Sequence, residues 1–319
     1  MTTPGPAAGS AERLRPAVAA VLVTARRGHA GLFWFAATMG ALATGTLVAA
    51  VLDDRELLGA PLWLKPLKFA LSFGLYALAL AWMIGLLDRG RRTVRALGWV
   101  LVAGSAIEVG VIVAQVARGR RSHFNEETPL DASLFSLMGA TVAVIWLVTA
   151  VVAVLLLRRR VADPGMRWGI RLGLVVGLVG MGLGTLMVAG GAHAVGVPDG
   201  GSGLPLFGWS TVGGDLRVGH VVGLHALQVL PLFAALLAAT ALDAATRGRL
   251  VLVAGLAYLG LVAVFTWQAL RGQPVLAPDG PTLAALGVLA VGVGLGAASV
   301  LGRRDRGHRG PHERMEVAP

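Results

Sequence analysis

Asp215, Arg217, His220, His225 and Gln228 fall within fourteen residues of an otherwise apolar stretch that runs on into Val229-Leu230-Pro231. Leu, Val, Ala and Gly surround them, as in a helix that crosses a membrane. Ionisable groups at membrane depth are costly, so they face a cavity, a partner or a ligand. The chemistry open to them is proton exchange, anion attraction or metal ligation. His220 and His225 are five residues apart, which on a regular helix points them roughly 140° away from each other. His220 shares a face with Arg217, and His225 shares one with Gln228. A spacing of four suits paired ligation better. A metal site would therefore need His193, His123 or Glu108 to join one of the two histidines. Imidazole with carboxylate suits zinc, iron or copper, so haem or a divalent metal is a cofactor the residues allow.

A second set of polar residues lies in the first half of the chain. Ser105, Glu108 and Gln115 share one helical face, with Arg118 at its end. Lys65, Lys68 and Ser72 share another. Arg120, Arg121, His123 and Asn125 follow closely, and Thr266, Gln268 and Arg271 close a later apolar segment. Glu108 sits about nine residues, or ~13 Å, inside its segment. Ionised and alone there it would cost several kcal/mol. The expectation is a protonated acid, a pair with Lys68, Arg217 or a protonated histidine, or a metal ligand; a purely structural ion pair is the plain alternative. Lys65 and Lys68 either snorkel to the interface or join Arg118, Arg120, Arg121 and Arg217 in an anion-attracting mouth. Asp53, Asp54, Glu126, Glu127 and Asp215 would offset much of that field. The ligand-binding set is thus Lys65, Lys68, Ser72, Glu108, Gln115, Arg118, Arg217, His220, His225 and Gln228. The metal set is His193, His220, His225 and Glu108. No residue is assigned as catalytic.

Elements that position these residues follow from hydropathy. A span needs about 20 mostly apolar residues, and the chain offers eight: 31–52, 67–88, 94–117, 132–157, 168–190, 217–241, 249–270 and 281–301. The expected fold is an all-α integral membrane bundle. Of its 319 residues, 55% are hydrophobic and 14% charged, far from a soluble composition. Cysteine is absent, which excludes disulfides, thiolate metal sites and cysteine nucleophiles. A net charge of +11 would suggest nucleic acid in a soluble protein. Here placement explains it. With the N-terminus in the cytoplasm, 20 of the 28 Lys and Arg fall on cytoplasmic segments, as the positive-inside rule requires. A nucleic-acid partner is then unnecessary, both termini are cytoplasmic, and the location is the plasma membrane.

Residues 1–30 read as a cytoplasmic start with a short amphipathic helix, 31–301 as the membrane domain, and 302–319 as a disordered basic tail. The outer connections 53–66, 118–131 and 191–216 are the long ones, and the last is either a lid or an ordinary loop. Trp63, Trp209 and Trp267 suit membrane-interface anchors. Gly173 and Gly177, Gly180 and Gly184, Gly219 and Gly223, and Gly292 and Gly296 recur at four-residue spacing, which permits close helix approach. Leu64-Lys65-Pro66-Leu67-Lys68 and Leu216-Arg217-Val218-Gly219-His220 each open a span after a long loop, which suggests a four-plus-four repeat.

The strings Lys65-Pro66-Leu67-Lys68-Phe69, Arg121-Ser122-His123-Phe124-Asn125, Gly214-Asp215-Leu216-Arg217 through His220, and Leu224-His225-Ala226-Leu227-Gln228 resemble motifs of uncharacterised bacterial polytopic membrane proteins. The resemblance spans most of the bundle and implies a membrane location, with no particular activity. The chain is similar to haem A synthase only in having eight spans in two halves. That family pairs histidines across both halves, with a glutamate a short helical step before one of them; Glu108 has no histidine three or four residues on. The histidine spacing of ceramidase-type intramembrane hydrolases is not met either. There is no nucleotide-binding loop, nucleophile elbow or histidine–glutamate protease motif. Three functions remain open: binding or movement of a small anionic or amphiphilic ligand through a polar outer cavity, haem- or metal-dependent membrane enzymology, and a structural or signalling subunit. The partners are the lipid bilayer and a small-molecule ligand, and the oligomeric state stays open.

Overall fold

A computed structural model describes residues 10–87, 91–159 and 161–308. The first nine residues, Arg89, Arg160 and residues 309–319 of the basic tail lie outside them. Within the described residues the chain forms α1 (Ser10–Gly28), α2 (Ala30–Leu52), α3 (Leu64–Gly85), α4 (Arg91–Ala117), α5 (Pro129–Leu157), α6 (Pro164–Gly190), α7 (Leu216–Ala238), α8 (Ala244–Leu270) and α9 (Gly280–His308). Eight of these, α2 to α9, are long and apolar enough to cross a membrane. They coincide with the eight expected spans within a few residues. The third helix starts at Leu64, three residues before the expected 67, and so takes in Lys65. The last runs on to His308, seven residues past the expected 301, so the start of the basic tail is helical.

Helix starts follow local chemistry. Asp163 and Asp243 sit at N-cap positions and accept from the amides of Met166 and Thr246 at 2.8 and 2.9 Å. Asp215 caps α7 through the Arg217 amide at 3.0 Å. Before α5, Thr128 Oγ1 accepts from the Asp131 amide at 3.1 Å and donates to the Asp131 carboxylate at 2.7 Å. Each cap gives an orphan amide of the first turn a partner.

The chain divides into two compact units, one spanning Met1–Leu57 and Pro61–Leu156, the other Leu58–Ala60 and Leu157–Pro319. The first holds α1 to α5, the second α6 to α9. In the first unit, Gly74 of α3 faces Met39 and Ala36 of α2, and Gly104 of α4 faces Ile145 and Thr141 of α5, so both pairs run antiparallel. Tyr76 of α3 bonds Thr149 of α5 at 2.5 Å, and Phe69 packs on Val111, Ile112 and Met138. One end of this unit carries residues 53–57, 61–63 and the long connection 118–128. The opposite, short-loop end carries Gly28, Gly85 and Arg95.

In the second unit α6 and α7 cross closely and antiparallel. Gly169 lies against Leu230 and Ala234, Gly173 against Ala226, and Gly180 against Gly223. A Cβ on Gly223 would stand 2.5 Å from the Gly180 Cα, so only glycine fits there. Two of the expected glycine pairs, on α6 and α7, thus meet each other at Gly180 and Gly223. Gly292 has nothing within 4 Å. Val176, Ala226, Leu230 and Val262 form the core of this unit. Helix α9 has only 6% of its span buried, against 44% for α3 and α4, so the rest of the chain covers little of it.

Candidate functional site

In the first unit the polar face of α4 splits into two environments. Gln115 is fully buried and donates from Nε2 to Asp131 Oδ1 at 2.8 Å. Arg118 Nη1 reaches the same oxygen at 3.1 Å and also donates to Gln115 Oε1. Thr128 supplies the remaining Asp131 oxygen with a donor. This buried carboxylate is therefore fully satisfied, as an interior charge must be. Gln115 and Arg118, expected to bind ligand, are engaged in it. Asn125 is buried as well, donating to the Arg121 carbonyl at 2.9 Å and accepting from the Glu127 amide at 3.1 Å.

Two turns further into the span, the surroundings change. Glu108 is 1% exposed, and among the described residues its Oε1 has no hydrogen-bond partner. Ser105, one turn on, is also buried. Lys65 Nζ lies 3.3 Å from His123 Nδ1 and Ser122 Oγ 3.1 Å from the same nitrogen. The His123 ring packs among Phe69, Phe124 and Phe135. Lys65, Lys68 and Ser72 are all half-buried on α3.

In the second unit Arg217 is committed to structure. Its Nε and Nη2 grip Asp215 at 2.9 and 2.6 Å, and Nη2 also donates to the Gly208 carbonyl at 2.5 Å. Asp215, 2% exposed, further accepts from the Ser210 amide at 2.9 Å. His193 Nδ1 stands 3.2 Å from Asp199 Oδ1, and Asp199 also accepts from the Ala194 amide at 2.9 Å. The strands Ala194–Val195 and Gly214–Asp215 pair antiparallel and close the loop between them. The 191–216 connection is thus pinned at both ends by carboxylates.

His220 Nδ1 lies 2.7 Å from the Gly180 carbonyl. That carbonyl can only accept, so this nitrogen carries the proton. The bond exists because Gly180 and Gly223 let the two helices touch. His225 and Gln228 are half-buried, and among the described residues the Gln228 Oε1 is buried without a hydrogen bond. No group of three or more His, Asp or Glu among the described residues is gathered closely enough to hold a metal ion.

Outside the spans, the carboxylates near arginines are strongly held as anions. The Arg55 guanidinium, with the Trp63 indole, keeps the Asp53 carboxyl well below the usual carboxylate range. Arg271 does the same for Asp279, helped by the Thr282 amide. At Asp163 burial pushes the pKa up, but the Met166 amide and Arg247 outweigh it and the net shift is down.

Asp131, Thr128 and Asp199 were not singled out from sequence. Asp131 had a readable signal: Thr128-Pro129-Leu130-Asp131 before an apolar run is a capping box, with Pro at the first helical position. Asp199 had none, because its partners come from residues whose side of the loop only folding decides.

No family model, no curated protein and no solved structure matches the chain. The resemblance to bacterial polytopic proteins is left with its coarse content, a multi-pass membrane protein, which the eight apolar helices carry.

Proposed function

We propose that this multi-pass protein resides in the plasma membrane with both termini cytoplasmic. In this reading it binds a small anionic or amphiphilic ligand from the extracytoplasmic side and moves it, with Glu108 as the protonatable centre. The observation that carries it is the buried Glu108 Oε1 with no hydrogen-bond partner among the described residues, deep in an apolar span. Native interiors satisfy nearly all buried polar atoms, and an exception calls for an explanation, of which a functional role is one. A bare carboxylate at that depth is costly. Binding and release of a proton, coupled to a ligand, would relieve that cost.

Lys65 and Lys68 attract the anionic end of the ligand, and Ser72 offers a hydrogen bond further along the same helix. The Gln115–Asp131–Arg118 cluster stands ~10 Å from Glu108 along α4, seven residues at 1.5 Å each. It serves as the closure that must open for access. In the second unit His225 and Gln228 provide a comparable polar face, with Arg217 and His220 holding the scaffold around it. Four spans in each unit support a four-plus-four repeat.

The test uses the full chain in proteoliposomes with a pH-sensitive dye inside, challenged with small carboxylates, inorganic phosphate and lysophospholipid. One of these is expected to drive proton movement, and Glu108→Gln, folded by circular dichroism, is expected to abolish it. Wild-type proton movement in Glu108→Gln, or none in the wild type with any probe, overturns the reading. An absorption spectrum and elemental analysis of the same preparation test the alternative. A Soret band or near-stoichiometric metal lost in His225→Ala would favour a haem or metal enzyme.

A further inference from the structure

Arginines at the two ends of the first unit differ in their company. At the long-loop end each has a carboxylate: Arg55 with Asp53 at 2.7 Å, Arg118 with Asp131 at 3.1 Å, and Arg120 and Arg121 with Glu127 at 2.5 and 3.4 Å. At the short-loop end Arg26, Arg27, Arg92 and Arg95 are all exposed, and none has a carboxylate within ion-pair distance among the described residues. Arginines with no carboxylate partner among the described residues favour a bound anion.

The backbone there is built with care. His29 ends the turn between α1 and α2. Its Nδ1 accepts from the Leu32 amide at 3.0 Å, so Nε2 carries the proton and donates to the Arg95 carbonyl at 2.9 Å. That bond ties the α1–α2 corner to the first turns of α4. Trp99, one turn beyond Arg95, meets the His29 ring edge-on at 5.7 Å. The Trp99 indole lies across Gly31, where a Cβ would stand 2.9 Å from it. The Arg26 guanidinium sits 5.7 Å from the Trp34 ring centroid. Trp34 and Trp99 are each 56% exposed. Val18, Val21 and Leu22 of α1 are exposed as well.

Cations next to outward-facing indoles and an apolar helix face match the chemistry of a lipid at the headgroup level. Guanidinium forks fit phosphate oxygens in a bidentate way, indoles settle at the membrane interface, and basic pockets between membrane helices bind anionic headgroups. A free phosphate would make no use of the apolar wall. We propose that the corner of α1, α2 and α4 binds one anionic phospholipid, its phosphate held by Arg26, Arg27 and Arg95 and its acyl chains lying along Trp34 and Trp99. This does not depend on the role assigned to Glu108.

The experiment is native mass spectrometry of the full chain released from nanodiscs of equal parts phosphatidylcholine and phosphatidylglycerol. The wild type is expected to retain phosphatidylglycerol preferentially, and rising salt during reconstitution to erode the preference. Arg26→Gln/Arg95→Gln is expected to lower the preference by roughly tenfold or more, since each surface arginine contributes about a fivefold factor toward an anionic lipid. Arg158→Gln/Arg249→Gln removes the same charge at exposed arginines elsewhere and is expected to leave most of it. Equal loss in both double variants reduces the effect to net charge and overturns the site. So does a wild type with no preference, or one whose preference ignores salt. Inorganic phosphate raising the melting temperature as much as phosphatidylglycerol does would assign the cations to free phosphate and overturn the lipid.

Discussion

Asp131 and Glu108 are both buried carboxyls in the same unit, and their surroundings are opposite. Asp131 is ringed by Gln115, Arg118 and Thr128; Glu108 Oε1 has none of this among the described residues. The contrast predicts opposite mutational outcomes. Gln115→Ala strips the Asp131 carboxylate of its neutral donor and should cost about 1–3 kcal/mol, the usual penalty for orphaning a buried polar group. Glu108→Gln replaces a carboxyl whose Oε1 has no hydrogen-bond partner among the described residues and should leave stability unchanged or raise it. Thermal unfolding in detergent checks both. If Gln115→Ala melts with the wild type, the cluster is not structural. Of the residues expected to bind ligand, Gln115, Arg118, Arg217 and His220 turn out to be held by neighbours. Sequence showed their polarity and depth, and could not show that Gly208 or Gly180 would present a carbonyl to them.

Helix packing decides the next level. The α6–α7 crossing is tightest at Gly180 and Gly223, two of the glycines that sequence spacing flagged, whereas Gly292, flagged with them, has nothing within 4 Å. Gly223→Ala should force a methyl into the Gly180 backbone and cost about 1–3 kcal/mol, as overpacking does, with loss of the His220–Gly180 hydrogen bond. Gly287 on α9 has nothing within 4 Å; Gly287→Ala should be neutral or stabilising by up to ~1 kcal/mol through helix propensity. Denaturant or thermal titration of the two variants separates them, and equal melting would mean that α6 and α7 do not touch there. The resemblance between the starts of α3 and α7 also divides at this level. Both open with a cation-bearing turn, but Asp215 caps α7 through its side chain, whereas Trp63 makes no side-chain cap bond to α3.

At the scale of the whole molecule the arginine distribution governs orientation. The basic residues gather on the connections that the positive-inside rule assigns to the cytoplasm. Reporter fusions at the N- and C-terminus should both read cytoplasmic, and a periplasmic signal from either would reverse the proposed direction of ligand entry. The eight spans and their order were legible in the residues alone, whereas the caps at Asp163, Asp215 and Asp243 emerge from the structure. Hydropathy over ~20 residues is a local property. The tertiary structure decided which polar side chains are spent on holding helices together and which are left over. Gln115 finds Asp131 across a loop, His29 finds Arg95 across 66 residues, and Glu108 Oε1 finds no partner among the described residues. Such pairings depend on which helix faces meet, and a one-dimensional pattern of apolar and polar residues carries the face but not its neighbour.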